Sequence, residues 1–235
     1  PSDHISKKFD AELEGVRSRV LQMGGLVEQQ INRAMEALAN GDMPLADQVI
    51  VDDHRVNAME VGIDDDCTHI IAKRQPTAGD LRMVMAVVKT ITDLERIGDE
   101  AQKIARMAKL VHERDHGISP RFSEVHYASS VALEMLKTAL DAFARLDVAA
   151  AAKVVKQDKI VDEQFRGLMR QLVTFMIEDP RTISACIDIL FIAKAIERIG
   201  DHAKNMSEYV VYLVKGKDVR HVTAEEFERE TSSPD

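Results

Sequence analysis

The chain has 235 residues, 45% hydrophobic and 30% charged, which is material for two domains of ordinary size and excludes disorder as the dominant state. With no Trp, three Tyr and seven Phe, the core falls to Leu, Ile, Val, Met and Ala, a composition that favours helices and argues against an all-β fold. The 31 Lys and Arg against 40 Asp and Glu leave a net charge of −9, which opposes any broad grip on a nucleic-acid backbone.

Taken in chain order, apolar residues at helical spacing predict a first helix over residues 5–40, closed by Asn40-Gly41-Asp42. Gly41 stands at the position that takes a left-handed conformation, and Asp42 is placed to cap the second helix. Further helices are predicted over 44–74, 77–112, 121–146, 148–178 and 182–215, and Gly216 closes the last. Pro44, Pro76, Pro120 and Pro180 fall in the turns or first positions, where proline is tolerated. Residues 217–235 read as a polar tail. The longest apolar runs, 83–88 and 209–214, are far short of the roughly 20 residues that span a bilayer, and the opening residues lack the apolar core of an export signal. Cys67 and Cys186 are far apart and form no CxxC pair, so neither a disulfide framework nor a thiolate zinc site is indicated. A cytoplasmic protein is expected.

The two halves repeat. Asp42, Val49, Asp53 and Val56 recur 105 positions later as Asp147, Val154, Asp158 and Val161. In the third helix of each half Glu95-Arg96-Ile97-Gly98-Asp99 returns verbatim as Glu197-Arg198-Ile199-Gly200-Asp201, a shift of 102, so three residues are lost at the turn before it. The expected fold is all-α, with two tandem pseudo-symmetric three-helix bundles, residues 1–118 and 119–216, and the tail 217–235.

The repeated pentapeptide carries the chemistry. Glu95 and Asp99 continue the apolar stripe of Val84, Val88 and Ile91, and Glu197 and Asp201 continue that of Ile183, Cys186, Leu190 and Ala193. A carboxylate on a core-facing stripe costs several kcal/mol unless it is paired or metal-bound. One explanation is a structural partner, such as Arg96 or Arg198 from the opposite repeat. The other is a hard cation, Fe, Mn or Mg and less readily Zn, because side chains four apart converge and the set is all oxygen. Asn205 could add an amide oxygen to the second pair, where the first half has Lys103. The second site is therefore expected to bind more tightly. Gly98 and Gly200 are expected to admit a close helix approach beside the acids. Asp53, Asn57, Glu60 and Asp64 read as a solvated face, with a minor claim to ligation. His202 reads as a surface residue, and Met83, Met85 and Met107 as core filler. No phosphate loop, GxGxxG or GxSxG occurs, and Gly rather than His stands three positions after Glu95 and Glu197, so no catalytic residues or organic cofactor are assigned and an enzyme is not expected. A metal-dependent carboxylate-bundle enzyme and a metal-storage protein stand as the alternatives.

Gln75-Pro76 with Asp80-Leu81-Arg82, Thr92 through Asp99, Asp179-Pro180, and Leu190 through Ala203 together resemble the PhoU family over most of the chain. The resemblance implies paired three-helix bundles, a cytoplasmic location and frequent homodimerisation. It further implies repression of the phosphate-starvation response when phosphate is plentiful, through contacts with the ATPase of the phosphate ABC transporter and a phosphate-responsive sensor histidine kinase. It carries the metal motifs onto Glu95 with Asp99 and Glu197 with Asp201. Where many members have Asn this chain has Lys103, whose ammonium would weaken a cation in the first site.

Overall fold

The computed structural model describes residues 2–113, 123–220, 222 and 224–232, and among them there is no strand. The helices are α1 Ser2–Asn40, α2 Met43–Arg74, α3 Ala78–Glu113, α4 Ser123–Arg145, α5 Val148–Glu178, α6 Ile183–Lys215 and α7 Ala224–Ser232, with a 3-10 turn at Pro180–Thr182 before α6. The first six lie within a few residues of the predicted ranges. The boundary expected at 118/119 falls outside the described residues.

Local chemistry accounts for the breaks. The Asp42 side chain accepts the Leu45 N–H at 2.9 Å, and Asp147, 105 residues on, accepts that of Ala150 at 3.0 Å. Gly41 takes the left-handed conformation with φ of 64°. Its counterpart Leu146 does so with a side chain, φ 55°, at a cost of about 1–2 kcal/mol that the duplicated turn geometry imposes.

Helices α1, α2 and α3 pack on one another, as do α4, α5 and α6. The halves meet where α3 lies against α6, with a smaller contact of α1 on α4, where the Arg17 guanidinium donates to the Ala144 carbonyl at 2.7 Å. On α1 the buried stripe Val20, Met23, Val27, Ile31, Ala34 and Leu38 steps by three and four, as an amphipathic helix requires. Each such aliphatic contributes roughly 1.5–3 kcal/mol on burial. Helices α3 and α6 bury two stripes apiece, one toward their own bundle and one toward each other. Met83 and Met107 pack against the core as expected, but Met85 faces out.

The tail also departs from expectation. Helix α7 packs on α5, Phe227 is only 4% exposed, and the Lys217 ammonium bonds Glu230 at 2.6 Å. One buried ring in a nine-residue polar helix is enough to dock it, yet too little for periodicity to reveal. Among the described residues no helix is long and apolar enough to cross a membrane.

Candidate functional site

Each bundle gathers carboxylates where its second and third helices meet. In the first half, Asp53 of α2 is 5% exposed and faces α3 beside Gly98. Its Oδ2 accepts from Asn57 Nδ2 at 3.3 Å, while Asp53 Oδ1 and Asn57 Oδ1 are buried without a hydrogen bond. Burial, and then Asp99, raise the Asp53 carboxyl above its ordinary range. Burial raises Glu95 too, with further contributions from Asp99, Glu60 and Asp53, and burial again leads the rise at Glu60. Asp53, Glu60, Glu95 and Asp99 therefore share one field. The α2 stripe expected to be a solvated face is turned inward at Asp53, and only Asp64 at its far end is exposed. The signal lay in the sequence: Asp53 interrupts the buried series Val49, Val56, Ile63, Cys67 and Ile70 at core spacing.

The second half repeats the arrangement with Asp158 and Asp162 of α5 against Glu197 and Asp201 of α6. One oxygen from each of Asp158, Asp162 and Asp201 lies within 4.8 Å of the other two. Asp158 is 5% exposed; its Oδ1 has no hydrogen bond and its Oδ2 accepts from the Lys204 ammonium at 2.9 Å. Glu197 pairs with Lys194. Asp201 lies at the open rim, yet burial of its carboxyl, then Glu197, Asp158 and Asp162, push it up to about 6. Asp162 rises through burial, then Asp158 and Glu197. By the 105-residue register Asp162 replaces Asn57 and Phe165 replaces Glu60, so the copies differ in donors.

Neither Arg96 nor Arg198 bonds these acids, and the bases that do are Lys204 and Lys194, both in the second cluster. The Arg198 Nε–H donates to Glu100 at 2.7 Å, and Arg96 is exposed, reaching Glu95 and Glu60 only through its field. Crowded carboxylates with buried, unbonded oxygens fit a multivalent cation, and an all-oxygen donor set suits a hard one. Asp53, Asn57, Glu60, Glu95 and Asp99 would hold it in the first half, and Asp158, Asp162, Glu197 and Asp201 in the second.

Asn205 is drawn elsewhere. Its Nδ2 donates to Asp93 Oδ1 at 3.2 Å, on α3, which ties this side chain to the opposite half. His202, expected at the surface, is 7% exposed, with Nδ1 2.7 Å from the same Asp93 oxygen, because it lies on the α6 stripe that packs against α3. Lys103 stays out of the first cluster, its ammonium 5.7 Å from the centre of the Phe191 ring and 3.9 Å from Glu100. The ammoniums that do enter an acid cluster are those of Lys204 and Lys194, in the second half.

Gly98 and Gly200 are not equivalent. A Cβ on Gly98 would stand 3.2 Å from Val56 Cγ1 and 3.4 Å from Asp53 Oδ1, whereas on Gly200 its nearest neighbour would be Val161 Cγ1 at 3.6 Å. Alanine gains about 1 kcal/mol of helix propensity at either place. Gly200→Ala is therefore expected to stabilise by up to about 1 kcal/mol, and Gly98→Ala to destabilise by about 1 kcal/mol through overpacking. Urea denaturation midpoints check this; shifts of the same sign and size would show the two contacts to be alike.

A model of the PhoU domain matches residues 20–108 and 126–210, once in each half. The chain is similar to the phosphate-specific transport system accessory protein PhoU homolog of Pseudomonas aeruginosa, 50% identical over 220 residues, covering 93% of this chain and 90% of that one. The crystal structure of PhoU from Pseudomonas aeruginosa superposes with a TM-score of 0.85 at 50% identity, over 89% of this chain and 100% of that one. The phosphate transport system regulatory protein PhoU from Streptococcus pneumoniae does so at 0.83 and 28% identity, over 90% and 99%.

Proposed function

The chain belongs to the PhoU family, and from that premise we propose that it is a negative regulator of the phosphate-starvation response and a modulator of phosphate uptake. It works as a cytoplasmic, homodimeric adaptor between the ATPase of the phosphate ABC transporter and a phosphate-responsive sensor histidine kinase. The observation that carries this reading is the pair of domain matches, one in each half, with relatives of about the same length named as accessory and regulatory proteins of phosphate transport. Long exposed helical faces suit docking to partner proteins, and the charge of −9 directs regulation through protein surfaces rather than DNA. Divalent or trivalent cations bind at Glu95 and Asp99 with Asp53, and at Glu197 and Asp201 with Asp158 and Asp162. They brace the second and third helices of each bundle. No catalytic role is assigned.

The test is genetic. Deleting the gene is expected to raise a phosphate-starvation reporter in rich phosphate to the level of starved wild-type cells, and removing the sensor kinase as well should return it to baseline. A reporter that stays high in the double deletion would sink the kinase route. Sequence-selective, salt-sensitive retention of promoter DNA by the purified protein would restore the DNA-binding reading.

A further inference from the structure

The acid clusters are copies, but the surfaces beside them are not. Next to the second cluster a cavity of about 390 Å³ is lined by Lys194, Arg198, Asp201, His202, Lys204 and Asn205. The residues 102 positions earlier are Thr92, Arg96, Asp99, Glu100, Gln102 and Lys103. Three cations against one acid give the second set a formal +2, while two against two give the first set zero, with His neutral in both counts. In a chain of −9, this lining is set apart from the same positions of its own duplicate.

Two of the three cations are held by the acid cluster itself. The Lys204 ammonium lies 2.9 Å from Asp158 Oδ2, and Lys194 pairs with Glu197; the third, Arg198, is bound by Glu100 at 2.7 Å. While the carboxylates are free they neutralise the lysines, and an anion entering the cavity would meet them paired. A multivalent cation among Asp158, Asp162, Glu197 and Asp201 competes for the same oxygens. It leaves two ammoniums tethered to α6 at the cavity wall, beside a guanidinium and the Asn205 amide. Ammonium groups are compact point charges suited to phosphate oxygens, and a guanidinium adds a planar fork.

We propose that this cavity is an oxyanion site, for a free phosphate-type dianion, that becomes competent when the adjacent carboxylate cluster is loaded with a multivalent cation. The proposal rests on the cation reading of that cluster. Coupling between two ligands is reciprocal, so phosphate raises cation affinity at the second cluster by the factor by which the cation raises phosphate affinity. The first cluster, which has Thr92 and Gln102 in place of the two lysines, takes up its cation without regard to phosphate.

Equilibrium dialysis of the full chain against radiolabelled inorganic phosphate tests this, after chelator stripping and again with Mn²⁺. Phosphate binding is expected with Mn²⁺ and at least about tenfold weaker without it, within the usual range of such couplings. Lys194→Thr with Lys204→Gln, which installs the first-half residues, is expected to lose phosphate binding about tenfold or more while Mn²⁺ binds more tightly, because no ammonium competes for Asp158 and Glu197. Phosphate binding that survives in this variant would mean direct ligation by the metal and overturn the site. Equal binding to stripped and loaded protein would overturn the gating. Mn²⁺ uptake without phosphate binding would overturn this inference alone, whereas failure of wild-type protein to take up Mn²⁺ would overturn the cation reading beneath it.

Discussion

Chelator-stripped protein is expected to gain roughly 4 kcal/mol of stability when a tightly bound cation is restored at about a thousand times its dissociation constant, since binding to the native state alone stabilises by mass action. Asp158→Asn with Asp201→Asn should abolish uptake at the second cluster, and Asp53→Asn with Asp99→Asn at the first, because Asn keeps the volume and removes the charge a hard cation needs. The stripped variants should change in the opposite sense. Burial and neighbouring carboxylates raise Asp201 to about 6 and raise Asp53, so the ionised forms are disfavoured in the fold at neutral pH. Taking those charges away relieves the cation-free protein, so the stripped first-cluster variant should melt at or above the wild-type temperature, and the second-cluster variant should gain less because Asp158→Asn also weakens the bond to Lys204. Elemental analysis and thermal denaturation with and without Mn²⁺ read both signs. Variants that still load both clusters, or that are destabilised alike in both conditions, would assign these acids an ordinary packing role. Between the clusters, the first is expected to bind more tightly, because Lys204 competes at Asp158 while Lys103 lies away from Asp99. This reverses the order read from the sequence, which rested on Asn205 and Lys103.

What was legible in the sequence was what a single helix or a self-comparison carries. The Asp42 and Asp147 caps, Gly41 and Gly216, the six long helices and the duplicated Glu-Arg-Ile-Gly-Asp come from local chemistry and from one half read against the other. What escaped depends on which of two stripes meets which neighbour. Periodicity places His202 on a face of α6, but only the packing of α6 on α3 makes that face interior and gives it Asp93. Asp158 was visible as the repeat of Asp53, yet both lie on α2 and α5, outside the pentapeptides, and their part in the clusters depends on helix pairs meeting edge to edge. The Phe191 ring beside Lys103 and the Asp93 carboxylate that holds Asn205 lie on the opposite half, beyond any argument from spacing along one helix.

Asp93→Ala is expected to cost about 3–5 kcal/mol, the usual penalty for breaking a buried charged network by removing one partner. Asp93 is 3% exposed on α3 and gathers three groups from α6: His202 Nδ1 at 2.7 Å and Asn205 Nδ2 at 3.2 Å on one oxygen, and the Tyr209 hydroxyl at 2.7 Å on the other. Burial and the adjacent Asp93 carboxylate hold the Tyr209 phenol above its ordinary range, so it remains a donor throughout the accessible pH range. Deleting the carboxylate strands these donors in the contact that joins the halves and leaves a cavity no larger than the lost side chain. The register position 102 residues on is Ala195, so no duplicate network takes up the loss. Asp93→Asn retains one acceptor oxygen and the volume, and should cost about 1–3 kcal/mol. For a domain stabilised by only about 5–15 kcal/mol, the alanine change alone should bring much of the chain close to unfolding at 37 °C. Urea denaturation of both variants, with Ser130→Ala on the exposed side of α4 as control, gives the ordering. An Asp93→Ala cost below about 1 kcal/mol would mean that water replaces the carboxylate and that apolar packing of α3 on α6, not this network, holds the two bundles together.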